Sequence, residues 1–142
     1  MSDTPEKLLA ALNRANEVIR PGGRIDLNLR HGEKIVDAPT QGITGFGGKD
    51  FTILAVDVNH NGKRSDPEDR VVVAAGGVVF TANMRGEHTV LQENPELAAQ
   101  IQRSFSRLSA DLGNTSAREL GQLTSTAIRE ANAQEKNNGP ER

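Results

Sequence analysis

The sequence predicts an α+β domain in which an antiparallel β-sheet is accompanied by an N-terminal helix and a C-terminal antiparallel helix pair. Residues 24–91 contain short apolar or alternating runs separated by glycine- and asparagine-containing turns, which is typical of strands. Residues 95–133 instead keep apolar side chains at helical spacing. Strands followed by helices favour α+β layering over alternating βαβ units. We expect helices over residues 5–19, 95–112 and 116–133 to cover the apolar face of one sheet.

The composition is that of a single domain with an aliphatic core. The chain has 142 residues, which is enough for a sizeable core, and its aromatic residues are limited to four phenylalanines. We find no internal repeat and no composition shift that would mark a domain boundary. We therefore expect one domain over residues 1–133, followed by a polar, disordered tail over residues 134–142.

Charge and segment composition exclude several classes of function. Lys and Arg number 17 against 19 Asp and Glu, a formal net charge of −2 with no basic block, so nucleic acid is not an expected partner. No apolar run is long enough to span a bilayer, and we expect a soluble protein. The first residues lack the basic start and apolar stretch of a secretory signal, so the chain is expected to be cytoplasmic or the mature form of an exported protein. The absence of cysteine excludes disulfides and thiolate metal sites.

Capping residues and apolar spacing define the predicted helices. Thr4 and Pro5 suit the start of the first helix, and Ser116 and Glu119 fit a capping box at the start of the third. The short connection between the second and third helices predicts that they are antiparallel. The inward-facing residues are Leu8, Leu12, Ala15 and Ile19 in the first helix, Leu97, Ile101, Phe105, Leu108 and Leu112 in the second, and Leu120, Leu123, Ala127, Ile128 and Ala131 in the third.

Turn residues divide the middle of the chain into strands. Tight turns at His31-Gly32 and at Gly76-Gly77 predict that the strands on either side of each turn pair as hairpins. The apolar, β-rich run over residues 51–58 predicts a buried strand. The predicted strands cover residues 24–30, 33–38, 51–58, 70–75, 78–82 and 87–91.

The segment over residues 39–49 is rich in glycine and is expected to form a flexible loop. A phosphate-binding P-loop would need glycine at position 43 and Ser or Thr at position 50, where the chain has Ile43 and Asp50. Because glycine lets the backbone approach a ligand closely, this loop could still close over a neighbouring site.

Residues 57–68 read Asp-Val-Asn-His-Asn-Gly-Lys-Arg-Ser-Asp-Pro-Glu and fit the pattern D-x-[DN]-x-[DN]-G-x5-E at every specified position. This twelve-residue run resembles an EF-hand calcium loop, in which oxygen ligands come from positions 1, 3, 5, 7, 9 and 12 and glycine at position 6 permits a sharp turn. The resemblance places Gly62 at the turn and implies a Ca²⁺ site. The implied ligands are Asp57, Asn59, Asn61, the carbonyl of Lys63, Ser65 and Glu68.

The flanking sequence departs from the EF-hand pattern. A predicted strand rather than a helix enters the loop, and we find no second loop in the chain. Only Asp57 and Glu68 are charged ligands, while Lys63 and Arg64 place positive charge inside the loop. Because ligand charge tunes calcium affinity, we expect a single weak site, with a Kd of roughly 10⁻⁴–10⁻³ M. A polar turn centred on Asn61-Gly62 that binds no metal remains the alternative.

The sequence contains no motif typical of a transition-metal site or of a nucleophilic active site. His31, His60 and His88 lack HxH or HxxxH spacing, so a transition-metal site is not expected, and His60 occupies a loop position whose side chain points away from the ion. No Gly-x-Ser-x-Gly motif and no local Ser/His/Asp grouping is present.

Three functions remain open on the sequence. We expect a non-catalytic domain that binds one calcium ion through residues 57–68. The alternative is a protein-interaction or assembly module, in which the C-terminal helices contact a partner protein or a second copy of the chain and the loop is only a structural turn. The Ala/Ser/Thr-rich face of the last helix motivates this alternative. The third is an enzyme that uses the glycine-rich loop beside Asp57.

Overall fold

Short apolar segments joined by turns build the central sheet from consecutive neighbours. The structure, a computed structural model, describes residues 6–20, 24–25, 28–57, 70–83, 88–111 and 114–137. The elements in chain order are α1 (Glu6–Val18), β1 (Ile19–Arg20), β2 (Arg24–Ile25), β3 (Lys34–Ala38), a 3-10 turn (Pro39–Gln41), β4 (Ile43–Gly47), β5 (Phe51–Val56), β6 (Arg70–Ala75), β7 (Val78–Asn83), β8 (Val90–Glu93), α2 (Pro95–Asp111) and α3 (Asn114–Asn137). β3 to β8 form a six-stranded antiparallel sheet in sequence order, and β1 pairs with β2 in a separate ribbon. The predicted α+β class is confirmed.

The hairpin of β6 and β7 shows how local sequence sets the register. Gly76 and Gly77 have φ angles of 60° and 80°, the left-handed values that a type I′ turn requires and that glycine adopts without strain. Ala75 then lies opposite Val78 at the turn. The hairpin predicted from these glycines is confirmed, and β7 continues to Asn83.

The helices lie on both faces of the sheet. α1 packs on the face that carries Ile53 and Val73, and α2 and α3 pack on the opposite face, which carries Leu54 and Val72. All four side chains are at most 1% exposed. The expectation that all three helices cover one face is therefore wrong. β5 and β6 are apolar at consecutive positions, so both faces of these central strands have to be covered.

The glycine-rich segment that was expected to be a flexible loop contains β4. This strand pairs with β3 on one side and β5 on the other, and the ring of Phe46 is fully buried on the α1 face. Gly45 allows β4 to pack closely, because a Cβ at this position would lie 2.5 Å from Cδ2 of Leu54 and 2.6 Å from the carbonyl oxygen of Ile53. Glycine is depleted in strands, so its abundance here concealed the strand.

The predicted hairpin of residues 24–30 with residues 33–38 is wrong. β3 pairs with β4, and β2 pairs with β1. Residues 28–30 carry no strand structure, and the turn at His31-Gly32, with a φ of 85° at Gly32, leads from them into β3. Alternating apolar residues indicate a half-buried extended segment, but they do not identify its partner strand.

Helix boundaries follow the capping residues only in part. The start of α2 is as predicted, since the Asn94 side-chain oxygen accepts a hydrogen bond of 3.1 Å from the backbone N–H of Leu97. α3 begins at Asn114, so Ser116 is a buried residue inside the first turn and the predicted N-cap is wrong. α3 also includes residues 134–137, which were predicted to belong to the disordered tail.

The eighth strand begins later in the chain than its sequence predicts. β8 covers Val90–Glu93, later than the predicted strand over residues 87–91. Thr4 and Pro5, the predicted start of the first helix, lie outside the described residues. Within the ranges that the structure describes, no helix is both long enough and apolar enough to cross a membrane.

Candidate functional site

Asp57 lies where the buried strand β5 ends. Its backbone N–H donates a hydrogen bond of 2.7 Å to the carbonyl oxygen of Gly42, which extends the pairing of β5 with β4 beyond Val56 and Ile43. The residue is only 5% exposed. The first position of the calcium-loop motif is therefore held on a rigid strand end within the body of the domain.

The rest of the calcium-loop motif follows Asp57 in the chain and leads to β6. Asn59, Asn61, Lys63, Ser65 and Glu68 lie outside the described residues. The chain is described again at Arg70, which lies directly opposite Val56 in the pairing of β5 with β6. The motif thus connects two neighbouring antiparallel strands, which agrees with the strand-loop-strand context expected from the sequence.

A cavity of about 250 Å³ lies beside Asp57, between α3 and the adjoining ends of β4 and β5. One side of α3 forms a wall, because the lining residues of this helix recur at helical spacing. The lining residues are Gln41, Ile43, Val56, Asp57, Gly121, Thr124, Ser125, Ile128, Arg129 and Asn132. The cavity therefore combines an apolar surface with an acid, a base, amides and hydroxyls.

The polar residues on α3 differ in how they are held. The hydroxyl of Thr124 donates to the carbonyl oxygen of Leu120 at 2.7 Å, and this side chain is buried. Arg129 is exposed, and its guanidinium donates a hydrogen bond of 3.4 Å to the hydroxyl oxygen of Thr126. Gly121 leaves room for Gln41, whose side chain would overlap a Cβ at that position.

A second polar cluster lies on the α1 side of the sheet. The guanidinium of Arg14 donates to both carboxylate oxygens of Glu33, at 2.8 and 3.1 Å. It also donates to the carbonyl oxygen of Asn28 at 2.6 Å and to Glu17 at 3.1 Å. Its central carbon lies 5.7 Å from the centre of the Phe46 ring. The side chains of Arg14 and Glu33 are only 8% and 7% exposed.

The contacts of this cluster stabilise the charged forms of both groups. Burial raises the pKa of the Glu33 carboxyl, but the hydrogen bonds from Arg14 and from the backbone N–H of Arg30 outweigh burial, and the pKa of Glu33 is lowered. The hydrogen bond to Glu33 raises the pKa of Arg14 by more than burial lowers it. Each charge is matched inside the protein, so the arrangement fixes α1 to the turn before β3.

Two of the three histidines lie among the described residues. His31 is exposed in the turn before β3, and His88 is exposed with a φ of 54°, ahead of β8 rather than at its predicted strand start. His60 lies outside the described residues. Among the residues that the structure describes, no three His, Cys, Asp or Glu side chains form a group that could hold a metal ion.

The cavity is a feature that no pattern in the sequence indicates. Its lining on α3 comes from positions 121, 124, 125, 128, 129 and 132, which follow helical spacing and include Ile128, which was expected to face inward, beside polar residues. A polar stripe beside an apolar one is the ordinary pattern of a half-buried helix. The sequence alone therefore could not indicate that β4 and β5 end opposite this stripe.

Comparison with known proteins identifies no relative of this chain. No protein-family model, no curated protein sequence and no solved structure matches it.

Proposed function

We propose that this domain binds one calcium ion through the loop of residues 57–68. The carrying observation is the position of Asp57, the first residue of a complete calcium-loop pattern, at a buried and hydrogen-bonded strand end. A ligand held on a rigid element loses less conformational freedom when it binds than a ligand on a free chain end.

The ends of the loop support the same proposal. Asp57 follows Val56, and Arg70 is paired with Val56 across the sheet, so the residues that flank the motif are held as neighbours. Bringing the two ends of a loop together costs conformational entropy. The pairing of β5 with β6 already holds these ends together, so ion binding does not have to close the loop. The twelve-residue pattern can then supply oxygen ligands from a segment whose two ends are fixed.

The ligand chemistry favours calcium over other divalent ions. The implied donors are carboxylate, amide, hydroxyl and backbone oxygens, which are hard ligands that suit calcium. Magnesium demands near-ideal octahedral geometry and retains several waters, which fits an all-protein loop less well. The chain has no cysteine, so it cannot bind zinc through thiolate ligands.

The proposed role of the ion is to stabilise a connection within the sheet. In sensor EF-hands, calcium changes the angle between two helices and exposes a groove. Here the motif joins β5 to β6, and both strands are buried in the centre of the sheet. Calcium is therefore expected to stabilise the connection between these strands and with it the fold, without opening a pair of helices.

Calorimetric titration with calcium tests the proposal. The wild type is expected to bind one ion with a Kd of roughly 10⁻⁴–10⁻³ M. Asp57→Asn and Glu68→Gln are expected to remove most of the binding, since each replaces a charged ligand. His60→Ala is the control within the loop, because its side chain is not a ligand. Unchanged calcium binding in both Asp57→Asn and Glu68→Gln would overturn the proposal.

The face of α3 that motivated an assembly module is occupied within the domain. Thr124, Ala127 and Ala131 are buried, and the side-chain amide of Gln92 on β8 donates to the carbonyl oxygen of Ala127 at 3.2 Å. This small-residue face therefore contacts the chain's own sheet. No contact of the described helices favours the assembly module over the calcium-binding domain.

A further inference from the structure

The cavity between α3 and the sheet has the composition of a small-molecule site. Its volume of about 250 Å³ corresponds to roughly eight molecules of liquid water. Three aliphatic side chains, Ile43, Val56 and Ile128, provide an apolar surface. Binding pockets typically combine such a surface with a few polar groups that fix the orientation of the ligand.

The charged groups on the wall have opposite signs. Asp57 brings a carboxylate that is almost fully buried, and Arg129 brings an exposed guanidinium. Attraction between charges is stronger where water is excluded than at an open surface. A ligand that carries both a cationic and an anionic group would match this wall better than a ligand with a single charge.

We propose that this cavity binds a small zwitterion, namely a free α-amino acid with an aliphatic side chain. The ammonium group of the ligand faces Asp57, and its carboxylate is bound by Arg129, whose planar guanidinium suits bidentate recognition of carboxylates. The aliphatic side chain lies against Ile43 and Ile128. Ser125 and Asn132 supply additional hydrogen-bonding groups at the wall.

This inference goes beyond calcium binding and does not need it. Asp57 belongs both to the cavity and to the proposed calcium loop, so the two ligands are expected to weaken each other's binding. By thermodynamic linkage, the weakening has the same factor in both directions. Binding of an amino acid in the presence of a chelator therefore tests the cavity separately from the loop.

The test is a titration of the ¹⁵N-labelled full chain with L-leucine, followed by NMR in the presence of a calcium chelator. Saturable shifts are expected at the amide signals of Gly121, Ser125 and Ile128. Arg129→Gln is expected to weaken binding by at least about tenfold, because it removes a charge-assisted contact to the ligand carboxylate. Arg118→Gln is the matched control, since Arg118 is an exposed arginine of the same helix outside the cavity wall.

Two fragments of leucine separate the contributions of its charges. 4-Methylpentanoic acid lacks only the ammonium group and isoamylamine lacks only the carboxylate, so each is expected to bind at least about tenfold more weakly than leucine. The proposal is overturned if leucine causes no saturable shift up to its solubility limit. It is also overturned if Arg129→Gln binds leucine as the wild type does, or if 4-methylpentanoic acid binds as tightly as leucine. A wild-type protein that binds leucine but not calcium would refute the calcium-loop proposal and leave the cavity proposal standing.

Discussion

Removing the Arg14 guanidinium tests whether the buried ion pair holds α1 to the rest of the fold. Arg14→Met keeps an unbranched apolar stem over Phe46 but deletes both hydrogen bonds to Glu33, at 2.8 and 3.1 Å. The Glu33 side chain is 7% exposed, so its charge is left in a poorly hydrated place. Breaking one partner of a buried pair typically costs about 3–5 kcal/mol. We expect the free energy of unfolding at neutral pH to fall by that amount.

Urea denaturation followed by circular dichroism measures this loss. Arg107→Met is the matched control, because Arg107 pairs with Glu119 at 3.4 Å on the surface, where the two side chains are 57% and 44% exposed. Exposed pairs of this kind contribute about 0–1 kcal/mol. Arg14→Lys is expected to fall between the wild type and Arg14→Met, since lysine keeps the charge but cannot form the bidentate contact.

The pH dependence provides a second readout of the same pair. The pKa of Glu33 is lowered in the folded protein from an ordinary value of 4.5. The stabilisation from Glu33 is therefore fully present above about pH 4.5 and is lost as the pH falls through the lower folded-state pKa. In Arg14→Met, acid protonates the Glu33 carboxyl and removes the cost of burying its charge without Arg14. We expect the difference between wild type and Arg14→Met to shrink on acidification.

A double-mutant cycle measures the coupling between Arg14 and Glu33. Arg14→Met combined with Glu33→Gln leaves no unmatched charge, so the double variant is expected to be more stable than the sum of the two single changes implies. Additive losses, or an Arg14→Met variant within about 0.5 kcal/mol of the wild type, would show that the pair does not carry the attachment of α1.

Three further predictions concern packing and ion selectivity. In urea denaturation, Leu8→Ala is expected to lower the free energy of unfolding by about 2–5 kcal/mol, because Leu8 is fully buried against the sheet. Leu9 is 49% exposed, so Leu9→Ala should change it by less than about 0.5 kcal/mol. Equal losses in the two variants would contradict the placement of α1. Gly45→Ala is expected to cost about 1–3 kcal/mol or more because its Cβ would meet Leu54 and the Ile53 carbonyl, and an unchanged melt would contradict the close packing of β4. In competition calorimetry, calcium is expected to bind in preference to zinc because the implied ligands are hard oxygens, and tight zinc binding without a calcium response would contradict the proposed ligand set.

The order and class of the secondary-structure elements could be predicted where the chain carries strong local signals. The apolar side chains at helical spacing after position 95 predict α2, and Gly76-Gly77 predicts the β6–β7 hairpin. These signals act within one element or one turn, so they do not depend on the rest of the fold. The α+β class follows from the order of such elements along the chain.

Pairing and layering could not be predicted because they depend on distant partners. β4 was concealed by Gly45 and Gly47, where an added Cβ would lie 2.5 Å from atoms of β5, a close approach that the local sequence does not show. The face covered by α1 depends on strands that are apolar on both sides, and helical spacing alone does not show which face a helix covers. Arg14 is charged, so an apolar stripe analysis leaves it out, although its partner Glu33 makes it part of the buried surface of α1.

The two candidate sites also differ in whether a local sequence pattern or the tertiary fold forms them. The calcium loop is a local pattern of twelve residues, and the structure adds that Asp57 is buried at the end of β5. The cavity is assembled from the 3-10 turn, two strand ends and one face of α3. No local pattern joins these segments, so only the tertiary fold brings Asp57 and Arg129 to one wall.

The most direct test of calcium binding is a thermal melt of the wild type in calcium and in chelator. With a Kd of roughly 10⁻⁴–10⁻³ M, about 10 mM calcium is expected to add about 1.4–2.7 kcal/mol to the free energy of unfolding. For a chain of this size, that gain raises the Tm by about 5–9 °C. Asp50→Asn, an exposed carboxylate outside the loop paired with Lys7, should keep the full increase, and Glu68→Gln should lose most of it. Identical melting of the wild type with and without calcium would show that residues 57–68 form only a turn.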